Sequence, residues 1–137
     1  MILQQISDIL TQYAANSGGQ AVDLLLRQRD VLATLSYRLA EMAGEAKGEY
    51  NSKYFQRKIT IARATQRLIN EGMAFNKADS KSLIENEDYY RAEIAKEAEA
   101  YKLDLLLKQV NRVLDAMAQR ISFLKMELKS NQLSPNL

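Results

Sequence analysis

The stretch LDLLLKQVNRVLDAMAQRISFLKMEL, Leu103 to Leu128, decides the fold of this 137-residue chain. Within it Leu103, Leu107, Val110, Leu114, Met117, Ile121, Leu124 and Leu128 recur in steps of four and three. That spacing puts them on one narrow stripe of an α-helix. A single helix in water cannot bury such a stripe, so partner helices are required. The pattern therefore predicts the seam of a helical bundle or of an oligomer. Lys102, Lys108, Gln109, Arg112, Gln119 and Arg120 occupy the other side and make the helix strongly two-sided.

Working outward from this seam, the last helix is expected over residues 82–129. Ser82 followed by Glu85 has the spacing of a capping box at its start. Residues 73–81 before it read as a polar linker, and residues 130–137 after it as a loose tail. A second long helix is expected over 20–72, with Leu25, Leu32, Leu35, Leu39, Met42 and Ala46 as its stripe and Gln28 interrupting it. The small residues Ala43, Gly44, Ala46 and Gly48 either allow close approach or mark a kink near 44–48. Gly72 suits a left-handed C-cap. Ile2, Leu3, Ile6, Ile9, Leu10 and Tyr13 define a short first helix over 1–15, ended by Asn16-Ser17-Gly18-Gly19. The fold class is all-α: a short N-terminal helix plus two long helices forming a coiled-coil-like, oligomeric bundle in a single domain.

Composition narrows the chemistry. The chain has no Cys and no His, which removes disulfides, thiolate nucleophiles, zinc ribbons and the commonest general base together. No phosphate loop, dinucleotide fingerprint or nucleophile constellation is found. The carboxylate pairs Glu85/Asp88 and Glu93/Glu97 have helical spacing but no matching motif on another helix, and read as solvated surface rather than a metal site. The expectation is a non-enzyme with no cofactor and no metal. No stretch reaches about 20 apolar residues, and MILQQISDIL lacks the basic n-region and cleavage site of a signal peptide. A soluble intracellular protein without membrane contact is expected.

The net charge is only +2, yet it is unevenly placed. Lys53, Arg57, Lys58, Arg63 and Arg67 follow one another with no acid between them, whereas acids dominate residues 85–104. Such blocks pair with one another within or between subunits, or leave a basic face free for a polyanion. Phosphate backbones are bound through Lys and Arg, and single strands add aromatic rings on which bases stack. Tyr50 and Tyr54, with Phe55 beside them, interleave with these cations. The candidate nucleic-acid-binding set is Tyr50, Lys53, Tyr54, Arg57, Lys58, Arg63 and Arg67. The competing reading is a solvated helix face with its tyrosines half in the core. Tyr89, Tyr90 and Tyr101 are flanked by acids and suit a protein interface better.

The run from Glu97 to Lys125, and above all Leu114-Asp115-Ala116-Met117 followed by Arg120, resembles the last helix of small phage proteins related to UvsY, the recombination mediators of T-even phages. The resemblance implies an accessory protein that binds single-stranded DNA as a ring-like homo-oligomer. It would help a RecA-like recombinase displace single-strand-binding protein, in the cytoplasm of a phage-infected bacterium. It also implies that the basic middle segment carries the DNA. The alternative is a phage helical protein-binding module, a defence inhibitor or virion structural adaptor, that does not bind DNA.

Overall fold

The computed structural model describes residues 1–16 and 21–133. Among the described residues every regular element is helical: α1 (Ile2–Asn16), α2 (Val22–Asn70), α3 (Phe75–Glu85) and α4 (Glu87–Leu133). They form two compact units, Met1–Glu41 with Asp104–Leu137, and Met42–Leu103. The two long helices contribute to both.

The first unit is built from α1, the first part of α2 and the second part of α4. Its core holds Ile6, Leu25, Leu32, Leu39, Val110 and Met117, all fully buried, with Leu35 and Ile121 nearly so. Val110, Met117 and Ile121 of the heptad seam are thus core within one copy of the chain. Leu107, Leu114 and Leu124 flank them half-buried, and Leu128 at the end of the seam is 55% exposed. Gln28 is buried where it interrupts the α2 stripe, and its Nε2 donates to Gln12 Oε1 at 3.2 Å. A polar side chain is tolerated there because α1 supplies an acceptor.

The second unit holds the rest of α2, α3 and the first part of α4. Gly72 ends the turn after α2 with φ 99°. The Gly72 N–H donates to Ile69 O, and the Met73 N–H donates to Leu68 O. These are the bonds of a left-handed helix terminus. Helix formation then resumes at Phe75, so the expected linker over 73–81 is largely helix and Ser82 is no helix start. Ser82 lies inside α3, fully buried, and takes a hydrogen bond from the Thr65 hydroxyl at 3.0 Å. The buried face of α3 consists of Ala78 and Ser82, too small and polar to register as an apolar stripe. Asn86 caps α3, its Nδ2 donating to Ser82 O at 2.8 Å. The last helix begins at Glu87, with Glu87 and Asp88 in a first turn where carboxylates oppose the helix dipole favourably.

α2 runs unbroken through residues 44–48. A Cβ built on Gly44 or Gly48 meets nothing within 4 Å, so neither glycine serves an approach within the chain. Gly44→Ala and Gly48→Ala should each stabilise the protein by about 0.5–1 kcal/mol, read as a higher urea midpoint. Destabilisation by either would show that a close contact needs the bare backbone. The helix end expected at 15 extends to Asn16. Residues 130–133 of the expected loose tail continue α4, which ends at Leu133; Ser17-Gly18-Gly19 of the expected turn and residues 134–137 of the tail lie outside the described residues.

Candidate nucleic-acid interface

The candidate surface lies in the second unit, where α2 and α4 run antiparallel. Two ion pairs establish that direction, Glu49 with Lys96 and Arg57 with Glu93, while Arg67 meets Glu85 at the end of α3. Rising numbers on α2 meet falling numbers on α4.

Arg57 is the centre of the arrangement. Its Nε donates to Glu93 Oε2 and its Nη2 to Glu93 Oε1, a two-point grip between planar groups. The side chains are 16% and 6% exposed. The Glu93 hydrogen bond raises the Arg57 pKa above its ordinary value, against the opposing effect of burial. The same guanidinium lies 5.2 Å from the ring centre of Tyr90 on α4 and 5.4 Å from that of Tyr54 on α2. Lys58 Nζ sits 4.7 Å from the Tyr54 ring centre, and Phe55 meets Tyr54 edge-on at 5.5 Å. Tyr90, Arg57, Tyr54 and Lys58 therefore alternate ring and cation in one ladder, each step within cation–π range. Phe55, 61% exposed, and Tyr90, 50% exposed, are its open aromatic ends. Tyr50 stands behind it, 6.5 Å from Tyr54. Partial burial, then the Glu97 and Glu93 carboxylates, raise the Tyr50 pKa.

On the other side of α2, Thr60, Arg63 and Arg67 line a shallow cleft of about 430 Å³ with Glu85 and Asn86. Arg67 Nη2 is 3.5 Å from Glu85 Oε2, a carboxylate it shares with Lys81. Lys53, Lys58 and Arg63 have no carboxylate within ion-pair distance among the described residues. Lys96 lies between Glu49 and Glu99, which hold its ammonium above the ordinary lysine range, while the Lys96 hydrogen bond holds Glu49 below the usual carboxylate range. Both are surface groups screened by solvent.

Of the seven residues proposed from sequence, Tyr50, Tyr54, Arg57 and Lys58 come together, Arg63 and Arg67 share the cleft, and Lys53 stands apart. Arg57 is paired with Glu93 and lies between the Tyr54 and Tyr90 rings, so its charge is already matched within the unit. Glu93, expected on solvated surface, is buried for the same reason. Tyr90, which its acidic neighbours suit to a protein interface, reaches the basic segment only through the antiparallel fold. No helix among the described residues is long and apolar enough to cross a membrane. Compared with family models, curated proteins and solved structures, the chain matches none.

Proposed function

We propose that the α2 face from Phe55 to Arg63, extended by Tyr90, binds single-stranded DNA without sequence preference. One observation carries this reading. Phe55 is exposed between Lys58 and Arg63, two cations that no carboxylate of the described chain neutralises. Helical spacing sets Lys58 on one side of the Phe55–Ile59 ridge and Arg63 on the other. A strand laid along the ridge would stack bases on Phe55 and place phosphates beside both cations. The resemblance of residues 97–125 to the UvsY-related mediators supports an accessory role beside a RecA-like recombinase and its single-strand-binding protein in phage recombination. On this reading the chain performs no chemistry and acts by binding alone.

The test is a fluorescent single strand against a duplex of equal length across a salt titration. Lys58→Ala/Arg63→Ala should weaken single-strand binding and reduce the salt slope by about 1.4, roughly 0.7 for each phosphate left without its cation. Phe55→Ala should weaken binding with little change in slope, since stacking contributes about 1–3 kcal/mol per base. Wild-type protein that ignores the strand at low salt would defeat the proposal. A second reading, a protein-binding module, is favoured by the exposed Tyr90, Ile94 and Tyr101 on α4.

A further inference from the structure

Two carboxylates of the second unit face arginines of α2, and they hold them differently. Glu93 grips Arg57 at two points, with both side chains largely buried. Glu85 meets its cations loosely. Its Oε2 is 3.5 Å from Arg67 Nη2, and its Oε1 is 3.8 Å from Lys81 Nζ. Both distances exceed ordinary hydrogen-bond length, and all three side chains are exposed. Exposed pairs of this kind are weak, so their partners exchange readily. Glu85 rests between two cations without being fixed to either.

The cleft around it is lined with donors. Thr60, Arg63 and Arg67 follow one another in steps of three and four, so one hydroxyl and two guanidiniums leave α2 on the same face. They line the shallow cleft together with Glu85, which is the one acid among its lining residues. Glu87, two positions on, is paired instead with Arg91 at 2.9 Å. The Glu85 carboxylate spreads one charge over two oxygens, each facing a cation. A phosphate diester presents its single charge on two oxygens in the same way.

We infer that this cleft is a binding site for a backbone phosphate, and that Glu85 occupies it as an internal stand-in when no nucleic acid is bound. The cleft extends the single-strand surface proposed above, and its assignment rests on that reading. A strand leaving the Phe55–Ile59 ridge past Arg63 meets Arg67 one turn on, about 6 Å along the helix axis. Its phosphate takes the place of the Glu85 carboxylate against Arg67, and the carboxylate is released to solvent. Arg57 offers no such exchange, since its carboxylate is buried with it. Strand binding is therefore held back by a competitor that the chain itself supplies.

The experiment is binding of the fluorescent single strand by the full chain across a salt titration, comparing wild type, Glu85→Gln and Glu87→Gln. Helix content, followed by circular dichroism, should be unchanged because both carboxylates are exposed. Glu85→Gln should bind the strand about threefold or more tighter than wild type at low salt. Glu87→Gln removes the same charge just outside the cleft, and should change affinity by less than about 1.5-fold. Adding Arg67→Gln to Glu85→Gln restores the wild-type net charge. It should cancel the gain and lower the salt slope by about 0.7, the share of one phosphate. A gain from Glu85→Gln no larger than that from Glu87→Gln overturns the inference, as does a gain that survives Arg67→Gln. Either result leaves strand binding by the α2 face standing. Wild-type protein that ignores the strand at low salt instead removes the single-strand reading, and this site with it.

Discussion

Glu93→Ala should lower the unfolding free energy by about 3–5 kcal/mol, the range expected when one partner of a buried ion pair is removed. The cost comes less from the missing attraction than from what remains. Arg57 keeps its charge, its side chain is only 16% exposed, and no other carboxylate takes an ion pair with it among the described residues. Equilibrium urea denaturation measures the change, at constant slope if the unfolded state is unaffected. The charge-free pair Arg57→Met/Glu93→Leu separates the two causes. If the stranded guanidinium dominates, the double variant should recover most of the loss, since hydrophobic replacement of a buried pair is often neutral or stabilising. A double variant as unstable as Glu93→Ala would instead assign the loss to packing around Tyr54 and Tyr90. The same substitutions bear on the ladder. Without Glu93 the guanidinium keeps only its contacts with the two rings, so Tyr90 should be held less firmly beside α2.

The parts of this fold legible in the sequence are those written in large apolar side chains. Leu25, Leu32, Leu35 and Leu39 on α2 and Val110, Met117 and Ile121 on α4 recur at helical spacing, and all are buried. The left-handed Gly72 is legible too, because few residues other than glycine adopt that conformation at a helix end. α3 is not. Its buried face is Ala78 and Ser82, and Ser82 three residues before Glu85 imitates a helix start. The serine is occupied instead by Thr65, a partner 17 positions away that no local pattern announces. The candidate surface divides along the same line. Tyr54, Lys58 and Arg63 are neighbours on one helix and can be grouped by spacing. The pairing of Arg57 with Glu93, and the arrival of Tyr90, depend on the antiparallel register of α2 and α4. Blocks of opposite charge show that pairing is possible, not which residues it takes.

Met117→Asp should have the largest effect of any single change along the stripe that defines the fold. Met117 is fully buried in the core of the first unit with Val110, Leu32 and Leu39. Removing its side chain alone would cost about 2–5 kcal/mol. A carboxylate buried at that position must also be desolvated or protonated. Since whole domains are stable by only about 5–15 kcal/mol, the expected result is loss of cooperative unfolding from the first unit, seen as reduced helical circular dichroism and an absent or early thermal transition. Leu128→Asp is the matched control. It lies on the same stripe, about three turns on, but is 55% exposed, and surface changes of this kind stay within about 0.5 kcal/mol. If the stripe served chiefly as a seam between copies, the two substitutions would act alike, lowering assembly mass and sparing the single chain. A large loss of folding at 117 with almost none at 128 is what a core closed within one copy demands.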